Sequence, residues 1–142
     1  MTEHNALIEA LPGALPMVQQ RDGWWMIAPK LDVVVMAQAM KDWEARFSTM
    51  TGMMAAADET YVTYHFCLDQ QAYNFKVTTQ GNRLPSISNI LPAADWIERE
   101  IQDLYKVEFT GHPNPERLLR PVQLSAGFFR EPGGAESKAQ QR

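Results

Sequence analysis

The side chains with chemical potential in this 142-residue chain gather in one stretch. Glu98, Glu100 and Asp103 lie within two helical turns of each other, and His112 sits a little further on, between Gly111 and Pro113. Paired carboxylates do acid/base work when their surroundings split their pKa values. A histidine adds a proton carrier near neutral pH. Glu100 with His112 is therefore one candidate catalytic pair. His65 and Cys67 form a second constellation: two apart on a strand, they share a face, and both types ligate metals. Zinc and iron–sulfur sites want four protein ligands, or three with an open position, and the other histidines are His4 and His112. A hydrogen-bonded strand histidine beside a small thiol is the favoured reading there. No G-x-S-x-G turn, G-x-G-x-x-G fingerprint or Walker loop occurs, so neither an activated serine nor a nucleotide cradle is indicated. With no partner acid fixed by spacing, His112 reads as an anchor before it reads as a catalyst.

These residues need elements to hold them. Residues 93–106 predict an amphipathic helix, with Ala93, Trp96, Ile97, Ile101, Leu104 and Tyr105 on one side. Asp95, Arg99, Gln102 and Lys106 fall on the other, where Arg99 can pair with Asp95 or Asp103 for about 0.2–0.5 kcal/mol each. Glu100 falls between Ala93 and Trp96, inside the stripe. A bare buried carboxylate costs several kcal/mol, so Glu100 is expected to be paired, hydrogen-bonded or protonated. The run Gly111-His112-Pro113-Asn114-Pro115 then predicts a stiff non-helical bend, because its prolines fix φ and remove donors. Arg117 and Arg120 come after it.

Together these motifs resemble a known family. Glu98-Arg99-Glu100, Asp103-Leu104-Tyr105, Phe109 and Gly111-His112-Pro113 are similar to the signature of the 30-kDa subunit family of respiratory complex I (NADH-quinone oxidoreductase), which is shared with membrane-bound energy-converting hydrogenases. The resemblance is strongest over 84–120 and extends back to about 23. Where the family places two arginines after His-Pro and a hydrophobic residue, this chain has Glu116 and Arg117. The resemblance implies a cofactor-free subunit in a peripheral arm on the cytoplasmic side of the cell membrane. Its implied partners are a large subunit (hydrogenase large or quinone-side) and a small iron–sulfur subunit, which with their neighbours carry the iron–sulfur clusters and the NiFe centre or FMN. The implied interface is Glu98, Arg99, Glu100, Asp103, Phe109, Gly111, His112, Pro113 and Arg117. Beyond Arg120 the chain lacks the second His-Pro of the complex I members, a departure that leans towards the hydrogenase type.

Composition agrees with a folded interaction module. Hydrophobic residues make up 45% and charged residues 21%, so the chain is globular. A net charge of −4 gives no basic footprint for nucleic acid. The single cysteine, Cys67, excludes an intrachain disulfide and fits a reducing compartment. The acidic N-terminus lacks the apolar core of a signal peptide, and no apolar run approaches the roughly 20 residues of a membrane span.

The rest of the chain predicts the scaffold. A short helix over 5–11 stops at Pro12-Gly13, and 23–28 reads as a strand between Gly23 and Pro29. Asp32 caps a helix predicted to run to about Thr49, on the period of Val33, Met36, Ala37, Met40, Trp43 and Phe47. Strands are expected at 52–57, 61–68 and 73–78, the last two as a hairpin around Asp69-Gln70-Gln71. Residues 84–92 form an extended lead-in. The expected class is α+β, a two-layer domain with helices on one face of a small mixed sheet. It spans 1–131, with a mobile tail at 132–142.

Overall fold

A computed structural model describes residues 3–118, 125–127 and 129; the expected tail at 132–142 lies outside them. Five strands form a mixed sheet in the order β1-β2-β5-β4-β3. They are β1 (Val18–Gln20), β2 (Gly23–Ile27), β3 (Arg46–Ala56), β4 (Glu59–Leu68) and β5 (Gln71–Thr78). The β2–β5 pair is parallel, joining Trp24 to Tyr73 and Ile27 to Lys76, while every other pair in this sheet is antiparallel. Helices α1 (Glu3–Glu9), α2 (Val33–Asp42) and α3 (Asp95–Tyr105) complete the α+β plan, with a 3-10 turn at Pro92–Ala94 leading into α3. A second, two-stranded parallel sheet pairs β6 (Arg83–Pro85) with β7 (Glu108–Thr110).

The alternation in β4 and β5 sets the core. Val62, Tyr64, Phe66 and Leu68 share one face with Tyr73, Phe75 and Val77, and all are buried. Residues of opposite parity face away, as the two-residue period of a strand requires. Asp69 and Gln70 both adopt positive φ, the two-residue hairpin conformation whose twist matches the strands it joins. From the helical layer, Ile8, Val33, Met36 and Met40 are buried. Asn5 accepts a hydrogen bond from the Tyr73 hydroxyl at 2.9 Å and ties α1 to β5.

Three predicted boundaries are corrected: the helix expected over 5–11 is Glu3–Glu9, the strand expected at 52–57 is Arg46–Ala56, and the third is the longest shift. The helix capped by Asp32 does not reach Thr49; it ends at Asp42. The Asp32 carboxylate accepts from the amides of Val34 and Val35, as an N-cap should. At the other end Glu44 turns left-handed, and β3 begins at Arg46. Trp43 and Phe47 kept the helical period past this stop. Phe47 instead lies on β3, edge-on to Phe66 at 5.4 Å.

Helix α3 approaches the sheet over Gly52. A Cβ on Gly52 would sit 3.0 Å from two ring carbons of Tyr105, so the glycine admits the aromatic ring. Gly52→Val should overpack this contact and lower unfolding free energy by about 1–3 kcal/mol, measured as a reduced urea midpoint at unchanged slope.

Candidate docking site

Helix α3 is rotated from the orientation its apolar residues suggest. Trp96 is 68% exposed, whereas Glu98 is 0% exposed. The inward stripe is Ala94, Ile97, Glu98, Ile101 and Tyr105, and Glu100 lies half-exposed beside it. The carboxylate expected inside at Glu100 is thus Glu98, two residues earlier. Its environment explains the exchange. Oε1 of Glu98 accepts from the Ser86 hydroxyl at 2.6 Å and from the Ser88 hydroxyl, and Oε2 accepts from the Ile87 amide at 3.1 Å. Ser86 in turn accepts from the Ser88 amide at 3.1 Å. Three donors from the segment ahead of the helix make a buried carboxylate tolerable. No spacing rule links Ser86 and Ser88 to a helix ten residues on, so the sequence carried no signal for this pocket.

His112 closes the other side of Glu98. Its imidazole side chain is 1% exposed, with Nε2 3.8 Å from Glu98 Oε1 and 3.3 Å from Asp95 Oδ1. The nearest acceptor is the Asp95 carbonyl, 3.2 Å from Nε2. Directing the Nε2 proton there leaves Asp95 Oδ1 buried without an aligned donor among the described residues. Nδ1 accepts from the Asn114 amide at 2.9 Å. Both nitrogens are therefore engaged, Nε2 against the Asp95 carbonyl and Nδ1 by the Asn114 amide. Gly111 supplies the left-handed φ of 79° at the turn, and its carbonyl accepts from Asn89.

The remaining polar residues of α3 hold the proline run along the helix. Arg99 donates to the carbonyls of Glu116 and Arg117 at 2.8 and 3.1 Å. Gln102 donates to the Pro115 carbonyl at 2.8 Å, and the Leu118 amide donates to Asp103 Oδ2 at 2.8 Å. Arg99 thus binds backbone carbonyls in place of the expected Asp95 and Asp103 pairs. Asp103 is 1% exposed and Phe109 4%. At the far end of α3, Asn82 Nδ2 caps the carbonyls of Tyr105 and Lys106.

Of the nine predicted interface residues, the side chains of Glu98, Asp103, Phe109 and His112 are therefore consumed inside the chain. Gly111, Pro113 and Arg117 are exposed, and Arg99 and Glu100 are half-exposed. Trp96, which the helical wheel placed inside, joins this outer surface. His65 and Cys67 lie far along the chain on β4. Both His65 nitrogens are occupied, by the Thr51 hydroxyl and by Asn74 Oδ1. Among the described residues no group of three or more His, Cys, Asp or Glu side chains is placed to hold a metal ion.

The buried Glu98–His112 pair lies within a stretch that known proteins share. The profile described as "Respiratory-chain NADH dehydrogenase, 30 Kd subunit" matches residues 26–131. The chain belongs to that family. Over 101 residues it is 36% identical to an NADH-quinone oxidoreductase subunit of Jannaschia sp. (strain CCS1), covering 66% of this chain and 49% of that one. Over 65 residues it is 40% identical to the corresponding subunit of Sinorhizobium medicae (strain WSM419), covering 44% and 32%. The chain thus matches half or less of the length of these curated relatives. Two solved structures share the fold, each with a TM-score of 0.59. One is the trypsin-resistant fragment (1-134) of Nqo5, at 20% identity over 72% of this chain and 90% of that one. The other is a chain of a membrane-bound sulfane sulfur reductase, an archaeal respiratory membrane complex, at 23% identity over 82% and 72%.

Burial raises the Glu98 carboxyl above its ordinary range, and the hydroxyls of Ser86 and Ser88, the Ile87 amide and His112 oppose that shift. Tyr64 is raised well above its ordinary value by its own burial and then by the Glu98 charge. Its hydroxyl is buried without a hydrogen-bond partner among the described residues. Linkage fixes the sign of the Glu98 effect. As pH rises through the ordinary carboxylate range, the unfolded chain loses this proton first. Stability therefore falls from there until pH passes the raised folded value. Glu98→Gln turns one of the two acceptor oxygens into an amide donor, which must face either Ile87 N–H or the Ser86 and Ser88 hydroxyls, and should cost about 1–3 kcal/mol overall. It should also flatten this fall. Urea unfolding of both proteins across that pH range checks it; parallel curves would show that Glu98 does not titrate as described.

Proposed function

We propose that this chain is a cofactor-free docking subunit in the peripheral arm of a membrane-bound, ion-pumping electron-transfer complex. The complex is an energy-converting [NiFe] hydrogenase or an NADH-quinone oxidoreductase. One observation carries the reading: Glu98 is spent inside the chain and Arg99, Gln102 and Asp103 hold the proline run along α3, which leaves Trp96 exposed on the outer side of the helix. Glu98, Asp103, Phe109 and His112 hold that surface in shape. Trp96, Glu100, Gly111, Pro113 and Arg117 meet the large subunit, with the small iron–sulfur subunit alongside. A buried tryptophan at the middle of an interface is the commonest kind of hot spot, and the charges around it set register more than affinity.

In this reading the clusters, and the NiFe centre or FMN, belong to neighbouring subunits. The chain sits on the cytoplasmic side of the membrane and reaches it only through the complex. Among the described residues no helix is long and apolar enough to cross a bilayer. A free-standing acid/base reaction through Glu100 and His112 has less support, because His112 meets Asp95 and Glu98, and both its nitrogens are already engaged.

A tagged chain recovered from solubilised membranes should bring the large and small subunits with it, identified by mass. A nickel–iron large subunit would mark a hydrogenase, and an NADH-binding flavoprotein complex I. Trp96→Ala, at an exposed position, should leave folding intact and lower recovery of the large subunit at least tenfold, from a hot-spot loss of about 2 kcal/mol or more. Equal recovery would remove this surface from the interface.

A further inference from the structure

The five-stranded sheet ends at β1 on one side and at β3 on the other. The two edges are unlike: β1 has 3 residues and β3 has 11. An edge strand leaves the N–H and C=O of every second residue unpaired, and proteins blunt such edges with short strands, charges, prolines or bulges. β1 is blunted by its length. β3 is blunted only at its ends, by Arg46 and by register shifts between Phe47 and Thr49 and between Met54 and Ala56. From Phe47 to Ala57 the chain has no charged residue and no proline.

The ladder says which backbone groups are spare. The Thr79 amide donates to the Thr60 carbonyl at 3.0 Å, so Thr60 turns its backbone towards β5. In an antiparallel ladder that direction alternates from residue to residue. Tyr61, Thr63 and His65 therefore turn theirs towards β3, where they pair with Met53, Thr51 and Thr49. Met50, Gly52 and Met54 then point their N–H and C=O groups outward. Among the described residues no main-chain group outside the sheet bonds to those of Gly52 and Met54.

The chemistry of the edge names its occupant. Outward N–H and C=O groups that repeat every two residues match one ligand geometry, an extended backbone. Met50 to Met54 covers four rises of about 3.3 Å, or about 13 Å, the length of a short strand. Met53 is 54% exposed on the face away from the helices, and Met54 is 46% exposed on the helical face. Uncharged aliphatic or β-branched side chains on the incoming strand would pair with both.

We propose that the outer edge of β3 takes up an added strand, an uncharged extended segment of a neighbouring subunit that pairs with Met50, Gly52 and Met54. This rests on the reading of the chain as a docking subunit. It sets a second contact directly beside α3, whose Ile101 and Tyr105 lie over Gly52, so one neighbour can hold both.

Amide hydrogen exchange tests the edge in the purified chain and in the complex recovered from solubilised membranes. In the chain alone, Gly52 and Met54 should exchange as exposed amides do, while Thr51 and Met53, bonded to β4, are protected. In the complex Gly52 and Met54 should slow by about a hundredfold or more. Met54→Pro removes an outward donor and no ladder donor. It should keep the fold by far-UV circular dichroism and lower recovery of the covering subunit by about tenfold or more. Met54→Ala keeps the N–H and should keep most of the recovery. With p-benzoyl-phenylalanine in place of Met53, irradiation should mark an uncharged segment of that subunit.

The proposal is overturned if Gly52 and Met54 exchange equally fast in the complex and in the free chain. It is also overturned if both are already protected in the free chain. Protection that rises with concentration would assign the edge to a second copy, and protection independent of concentration would mean that the chain covers its own edge. Folded Met54→Pro with full recovery, or Met54→Ala with the same loss as Met54→Pro, would likewise sink strand addition. If the complex is recovered and depends on Trp96 while the two amides stay exposed, the edge proposal fails alone. If no subunit co-purifies, the docking function falls and this proposal with it.

Discussion

The fold around α3 depends on a carboxylate that water never reaches. Glu98 sits fully buried on the inward stripe of the helix, where an isolated charge would be prohibitive. Its three donors come from Ser86, Ile87 and Ser88, directly after β6, and the ring of His112, just after β7, lies 3.8 Å away. One side chain thereby fixes the rotation of α3 about its own axis. That rotation decides which residues face outward. It exposes Trp96 and turns Arg99, Gln102 and Asp103 towards the backbone at 115–118.

The parallel β6–β7 pair is the complement to this pocket. It brings Ser86 and His112 to the same end of α3 and is extended by the Ser86 amide donating to the Thr110 carbonyl at 2.8 Å. The short strands carry little hydrophobic signal of their own, yet Leu84 and Phe109 pair in register and both are buried. Two chain segments separated by the whole of α3 are thus stapled side by side. The helix is anchored at both ends, by the strand before it and by the strand after it.

How much of this was legible depended on whether the determining partner was near in sequence. The β4–β5 hairpin was legible because alternation and the Asp69-Gln70 turn are local properties. The α+β class and the Asp32 cap were legible for the same reason. The stop of α2 was missed because Trp43 and Phe47 continue the helical period, while the left-handed turn at Glu44 has no residue signature. The rotation of α3 was missed because Trp96 is apolar and Glu98 is charged, and propensity alone ranks them the other way round. Burial there was decided by serine hydroxyls and a histidine whose positions only the tertiary fold reveals. β1, β6 and β7 are three residues each, too short for any periodicity.

The imidazole at the bend illustrates what such a fold commits to. In the arrangement seen, the ring of His112 meets the Asp95 carbonyl at Nε2 and accepts a hydrogen bond from the Asn114 amide at Nδ1. The Asn114 N–H points at Nδ1, so the ring and the proline run orient each other. The contour of this corner of the molecule therefore hangs on a single nitrogen atom of one side chain.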